Sequence, residues 1–316
     1  MADLFVPEGS KDKVIVEAFP GPGQLTRSLL ALPKERIKKL IILEQEPKYL
    51  DYLLPLAELD PRVKIIPVTA LEWDAFARIE QQGLLDDVEV IDWDQGVHPT
   101  LQFISHLPIT VYGEQLIAQL LRLVPSRSWL HKFGRIKMNY LLSQYVWERL
   151  NAPPSHTTMR CKLSVMASAT ASLKPLMDEE LRPFAKHFHP TPPKNSTKVT
   201  NRQVGNPFLA IEIIPLEERI IDETKLEMWD YCCRRLFVRK ATPLTKCIED
   251  LGPGAKSLLP KLKEFKIDDK AVRDLTVYDW AEIVKAFDAW PFAPKDLGIN
   301  DGKLDDYGGR GGGPRY

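Results

Sequence analysis

Four residues near the N-terminus have the types and spacing of a nucleotide-cofactor cradle: Glu17, Gly21, Gly23 and Glu44. The first three sit in "EAFPGPGQLTRSLL", where an apolar strand runs into glycines and then into a helical pattern. Glycines at such a turn let the backbone approach a ligand with no Cβ in the way, and the helix N-terminus that follows favours negative charge. An acid about 20 residues further on, closing the next strand, suits ribose hydroxyls. Glu44 lies 21 residues beyond Gly23. Phe19 stands where such a loop has its first glycine. Its side chain needs somewhere to go, so the same residues also read as a plain turn in which Gly21 and Gly23 serve only the backbone.

A second set of residues is basic. The formal net charge is +0, but Glu44 to Asp94 hold 13 acidic residues against 4 basic, and Arg122 to Lys162 hold 8 basic residues against one acid, Glu148. A neutral total thus hides one region suited to a polyanion and one that repels it. Lys132, Arg135 and Lys137 lie in the basic region. Arg234, Arg235, Arg239 and Lys240 form a later basic run with no acid between them.

Several other groups carry less. His187 and His189 flank Phe188 but lack further ligands for a metal, so a surface loop is expected and no metal site. Asp92 and Asp94 around Trp93 read as a loop of the acidic region. Cys232 and Cys233 read as helix packing, and Trp280, Trp290 and Phe292 as the core of a helical domain. The four cysteines show no C-x-x-C spacing, which argues against structural zinc and for a reducing compartment. No apolar run reaches about 18 residues, so no membrane span is expected. No targeting segment is visible in "MADLFVPEGSKDK".

The elements that must position the cradle alternate. "KVIVEAF", "KKLIILE", "VKIIPV" and "LQFISHLPI" read as strands; "LTRSLLAL", "PKYLDYLLPLAEL", "GEQLIAQLLRLV" and "MNYLLSQYVWERL" read as helices. Strands alternating with helices predict a doubly wound, mainly parallel sheet. "HPTPPKNS" is too rich in proline for an element interior, and "FLAIEIIPL" is a late strand. Beyond Leu216 only helical patterns remain. The expected organisation is a Rossmann-like domain over 1–218, a helical domain over 219–297, and a Gly/Arg tail over 298–316 too poor in apolar residues to fold.

Taken together these motifs resemble the rRNA adenine dimethyltransferases, which use S-adenosylmethionine. "EAFPGPGQLT" resembles that family's E-x-G-P-G-x-G-x-L-T loop. "VTALEWD" resembles its D-A-L motif, with Thr69 at the Asp position followed by Ala70. "ISHLPI" resembles its catalytic N-L-P-Y, which puts His106, Leu107, Pro108 and Ile109 at the four positions. "FHPTPPKNS" and "RRLFVRKATPL" match further segments, and the likeness spans residues 14 to 295 in order. It implies a class I methyltransferase fold with a small C-terminal helical domain.

In that family the Asn and the Pro carbonyl orient the adenine amine, and the Tyr stacks on the flipped base. His106 cannot copy a primary amide and its charge is expected to vary with pH. Ile109 cannot stack as an aromatic does, a loss of roughly 1–3 kcal/mol per base. Thr69 lacks the carboxylate that accepts from the cofactor's adenine. The cofactor residues Glu17, Phe19, Gly21, Gly23, Glu44, Thr69 and Ala70 thus read as vestigial, with no cofactor required and S-adenosylmethionine binding weak at most.

"SWLHKFGRIKM", "MWDYCCRRLFVRKATPLTKCIEDLG" and "AWPFAPKDL" resemble the fungal mitochondrial transcription factor B branch of the family. That branch works with the single-subunit mitochondrial RNA polymerase and opens promoter DNA. The resemblance implies a mitochondrial matrix protein, monomeric, with the polymerase and promoter DNA as partners and rRNA as the alternative. Nucleic-acid contacts then fall to Lys132, Arg135, Lys137, Arg234, Arg235, Arg239 and Lys240, and in the tail to Tyr307, Arg310, Arg315 and Tyr316. The family's helix ahead of the glycine loop is expected to be missing.

Overall fold

The computed structural model describes residues 1–72, 74–177 and 208–298. His187, His189 and the tail residues Tyr307, Arg310, Arg315 and Tyr316 lie outside them. β1 (Lys13–Ala18) is buried at all positions. Its pleat sends Val14, Val16 and Ala18 into one core and Ile15 into another, so it is covered on both faces. β2 (Ile37–Leu43), β3 (Val63–Ile66) and β4 (Val97–His106) follow in parallel, separated by α2 (Gln24–Leu30), α3 (Pro47–Leu59) and α4 (Ala75–Gln81). The seven-stranded sheet has the order β3-β2-β1-β4-β5-β7-β6. This is the Rossmann-like α/β architecture expected.

One core joins the sheet to Ile79 of α4, to Leu116, Ile117 and Leu120 of α5 (Val111–Arg122), and to Ala167 of α7 (Lys162–Thr170). The other joins it to Phe5, to Leu29 of α2 and to Leu53 of α3. Burying each such side chain stabilises by roughly 1.5–3 kcal/mol, which fixes the helices to their faces.

The structure corrects three expectations. "MNYLLSQYVWERL" is not one helix: Arg135–Ser143 is β5 and only Gln144–Leu150 is helical, as α6. Ile136, Met138, Tyr140 and Leu142 enter one core and alternate with Arg135, Lys137 and Asn139, a period of two that a helical reading begun at Met138 cuts through. The break falls at Ser143, whose hydroxyl accepts the Val146 N–H and caps α6. Next, a short helix does precede the glycine loop: α1 (Ala2–Phe5), anchored by fully buried Phe5. Third, Phe292 is 76% exposed and no part of the core, whereas Trp280 and Trp290 are buried.

β6 (Ala171–Pro175) went unanticipated. It pairs antiparallel with β7 (Phe208–Pro215), which also pairs antiparallel with β5.

The chain divides into two compact units, Met1–Glu223 and Thr224–Tyr316. Among its described residues the second unit is helical. α8 (Leu226–Leu236) buries Trp229, Tyr231, Cys232, Cys233 and Leu236. α9 (Leu244–Cys247) and α10 (Leu259–Glu264) are short. α11 (Val277–Asp288) is opened by a capping box between Thr276 and Asp279. Tyr231 meets Phe287 at 5.4 Å between ring centres, and Phe237 stacks on Trp280 at the same separation. Both adjacent cysteines are buried, as packing residues should be. Among the described residues no helix is long and apolar enough to cross a membrane, and no three His, Cys, Asp or Glu side chains could share a metal.

Candidate functional site

The strand order reverses between β1 and β4, and in doubly wound sheets ligands bind at that switch point, beyond the strands' C-terminal ends. The register aligns those ends. Ala18 lies beside Leu43 of β2 and Ser105 of β4, so Phe19, Glu44 and His106 stand together along one edge of the sheet.

The loop after β1 has a left-handed backbone at three positions but glycine at only two of them. Phe19 has φ 55°, Gly21 57° and Gly23 82°. A non-glycine residue in this left-handed region costs roughly 1–2 kcal/mol. Phe19 bears that strain and packs against the core on the α4 and α5 face. Gly23 is needed twice over, because a Cβ there would sit 2.7 Å from Leu53 Cδ2 and 2.9 Å from Arg27 Nη1. Arg27 then ties the loop down, donating to the carbonyls of Pro22 (2.6 Å), Gly23 (3.0 Å) and Tyr52 (2.9 Å).

The two acids of the cradle are engaged inside the protein. The Thr26 hydroxyl donates to Glu17 Oε2 at 2.8 Å, while Oε1 is buried without a hydrogen-bond partner. Burial pushes the Glu17 carboxyl up to about 7, against the smaller opposing pull of Thr26. Glu44 accepts the Glu46 N–H at 2.9 Å, and the N–H groups of Gln45 and Gly21 as well. Burial still holds its pKa above the usual carboxylate range. Thr69 is buried, and its hydroxyl accepts the Leu71 N–H at 3.4 Å. A small open hollow beside Ala70 is walled by Leu71, Phe76, Leu116 and Trp129, not by the glycine loop. For S-adenosylmethionine, three features disagree: a phenyl side chain at the close approach, a ribose acid satisfied by backbone, and no carboxylate at Thr69.

The loop after β4 keeps its backbone and changes its chemistry. Leu107 is buried and its N–H donates to the Leu141 carbonyl at 2.9 Å. Gly113 of α5 presses so close to the Pro108 carbonyl that a Cβ would lie 2.2 Å from the oxygen. His106 packs edge-on against Phe208, with ring centres 5.4 Å apart, and burial pushes it down to about 4. It is therefore neutral near pH 7, which corrects the expectation of a pH-dependent charge there. Ile109 is half-buried.

The basic residues picked out by charge alone are largely paired. Lys132 bonds Glu80 and lies over the Phe76 and Phe133 rings. Arg135 donates to Glu217 (3.2 Å) and to the Pro215 carbonyl (3.1 Å). Lys137 faces Glu212 across the β5–β7 pair at 3.6 Å. Arg239 grips Asp250 through two hydrogen bonds of 2.7 and 2.8 Å. Arg235 donates to the Asp250 carbonyl and Arg234 to that of Leu297; Lys240 is also engaged. Charge counting missed a different group. Exposed Lys261, Lys263 and Lys266 surround exposed Phe265, and none makes an ion pair among the described residues. The interleaving of lysines with an aromatic in "KLKEFK" was the available signal.

A mainly parallel sheet in which β7 runs against the other six strands, and paired loops at the switch point, define a class I methyltransferase scaffold. The chain belongs to the ribosomal RNA adenine dimethylase family, whose model matches residues 5–289. Among its relatives is the mitochondrial transcription factor 1 of Lachancea kluyveri, 24% identical over 296 residues, covering 89% of this chain and 82% of that protein. That of Saccharomyces paradoxus is 25% identical, covering 90% and 82%. The mitochondrial dimethyladenosine transferase 1 of Vermamoeba vermiformis is 26% identical, covering 90% and 84%. The crystal structure of the 23S rRNA methyltransferase ErmE shares the fold, with a TM-score of 0.54 at 13% identity over 91% of this chain and 96% of that one.

Proposed function

We propose that this protein is a mitochondrial transcription initiation factor. It partners the mitochondrial RNA polymerase in recognising and melting promoter DNA, in the matrix, on a methyltransferase scaffold that no longer transfers methyl groups. The observation that carries this reading is the paired state of the switch-point loops. Their backbone geometry persists, while His106, Ile109, Phe19 and Thr69 remove the groups that hold adenine and cofactor. Relatives named mitochondrial transcription factor 1 support it over most of the chain. S-adenosylmethionine binds weakly or not at all, and no metal is needed.

In this reading 1–218 form the scaffold domain, 219–297 the helical domain and 298–316 the tail. The lysines around Phe265 track phosphate without reading sequence. In the tail, Tyr307 and Tyr316 stack on unpaired bases and Arg310 and Arg315 meet phosphate. The test is run-off transcription with the cognate polymerase on duplex and pre-melted promoters. Promoter-dependent stimulation on duplex, smaller on the bubble, is expected. No stimulation on either template refutes it.

A second reading, rRNA adenine dimethyltransferase, is favoured by Glu17, Gly21 and Gly23 standing in the family's loop and by the Vermamoeba relative. Calorimetry with S-adenosylmethionine decides between them: micromolar affinity with restored dimethyladenosine in a dimethylase-deficient strain would establish it.

A further inference from the structure

α3 is unusually bare for a helix of a doubly wound sheet. Of its 13 residues only Leu53 is fully buried. Tyr49, Tyr52, Leu56 and Leu59 recur at steps of three and four and so share one side of the helix. Leu56 leans partly on the core, but Tyr49 is 39% exposed, Tyr52 57% and Leu59 83%. Exposed apolar residues in a continuous stripe, rather than scattered singly, mark a surface that is covered in use.

The surroundings say what covers it. Between Glu44 and Asp60, Lys48 is alone against Glu44, Glu46, Asp51, Glu58 and Asp60. Asp60 is neutralised by Arg62 at 2.7 Å and Glu44 is buried, but Asp51 and Glu58 are exposed on the helix and make no ion pair among the described residues. Unpaired carboxylates beside an apolar stripe repel a phosphate backbone and attract a protein surface carrying cations. The stripe is also firmly seated: Arg27 binds the Tyr52 carbonyl, and Leu53 packs where Gly23 leaves room. A rigid face needs little ordering on binding.

We propose that the Tyr49–Tyr52–Leu56–Leu59 face of α3 is a docking site for an element of the polymerase that presents lysine or arginine beside apolar side chains. The polymerase as occupant rests on the function proposed above; the basic–apolar chemistry of the contact comes from α3 itself.

Two double variants test it, Tyr52→Ser with Leu59→Ser, and Asp51→Lys with Glu58→Lys. All four side chains are exposed, so thermal melting should stay at the wild-type value. Binding to the cognate polymerase is measured without DNA by fluorescence anisotropy, and self-association by sedimentation. Each double is expected to weaken polymerase binding at least tenfold, and the charge reversal to remove the weakening by salt that wild type shows. Wild-type affinity in both doubles overturns the proposal and leaves the initiation-factor reading standing. A wild-type dimer that the Tyr52→Ser/Leu59→Ser variant dissolves also overturns it, by assigning the stripe to a second copy. Absence of any wild-type binding to polymerase removes the initiation-factor reading and this proposal together.

Discussion

The loops after β1 and β4 leave the sheet side by side, yet they depart from the family pattern in different ways. After β1 the change is steric: a phenyl side chain occupies a left-handed backbone, and the nearby acids turn inward to Thr26 and to backbone N–H groups. After β4 the change is chemical: the Pro108 carbonyl still meets Gly113 at closest approach, while His106 and Ile109 replace an amide and an aromatic. Both loops are pinned by close packing, Gly23 against Leu53 and Arg27 and Gly113 against the Pro108 carbonyl. Residues that only shape the chain are therefore the most demanding positions in the site.

The sharpest break in that comparison comes from Gly113. Gly113→Ala drives a methyl group into the Pro108 carbonyl, a backbone atom that cannot swing aside, and is expected to cost about 3 kcal/mol. Urea unfolding checks it; a loss below about 1 kcal/mol would mean the β4 loop yields more readily than its neighbour.

Glu17 probes the other loop through pH. Its native pKa of about 7 lies above the ordinary glutamate value of 4.5, so the native state holds the proton more tightly than the unfolded chain. Stability from this group is complete below about pH 4.5 and is lost as pH rises through 7. Glu17→Gln should therefore gain on wild type as pH rises from 5 to 8, by about 2–3 kcal/mol, on top of a pH-independent cost for the amide's own unpaired N–H. His106 runs the opposite way: its contribution is present above the ordinary histidine value of 6.5 and lost as pH falls towards 4. Unfolding curves of Glu17→Gln and His106→Gln across pH 4–8 separate the two, and a flat Glu17→Gln difference would contradict the buried-acid account.

Gly23 and Gly21 give a smaller, graded pair. Both have positive φ, but only Gly23 is also crowded, by Leu53 and Arg27. Alanine at Gly21 should cost about 1 kcal/mol and at Gly23 about 2, since Arg27 can move and Leu53 only partly. Equal losses would show that backbone conformation alone holds this loop.

The smallest change in stability belongs to Phe19→Gly, within about 1 kcal/mol of wild type, as relief of the left-handed strain offsets lost packing. Its value lies in ligand binding. Combined with Thr69→Asp, it should raise S-adenosylmethionine affinity at least tenfold by calorimetry. No gain would place the obstacle in Glu44 instead of the phenyl ring.

Much of this was legible in the sequence, for identifiable reasons. β1, β2 and β3 are short apolar runs closed by turn residues, and α5 has a clear amphipathic period. The spacing of Glu17, Gly21, Gly23 and Glu44 marked the turn from β1 into α2 and the end of β2, because turn geometry is local. β5 was misread because the helical reading began at Met138, past the start of the alternation of Ile136, Met138, Tyr140 and Leu142 with Arg135, Lys137 and Asn139, and Phe292 because an aromatic near Trp290 gives no sign of its exposure. The pairing of Lys137 with Glu212 and of Arg135 with Glu217 depends on β7 lying beside β5, a contact about 75 residues apart in sequence that no local pattern encodes. For the same reason, summing charge over Arg122 to Lys162 pointed to side chains that are already engaged.

The place of β7 in the sheet also bears on how the molecule is made. β6 is synthesised more than 30 residues before β7, yet hydrogen-bonds to the sheet only through it. Until Phe208–Pro215 has left the ribosome, the apolar edge of β5 stays open and β6 has nothing to join. Bringing together strands so far apart in sequence is entropically slow, and an open hydrophobic edge invites pairing with other chains. A nascent or truncated polypeptide that stops before Phe208 thus forfeits two strands at once, and a chaperone's protection would matter most during that interval of synthesis.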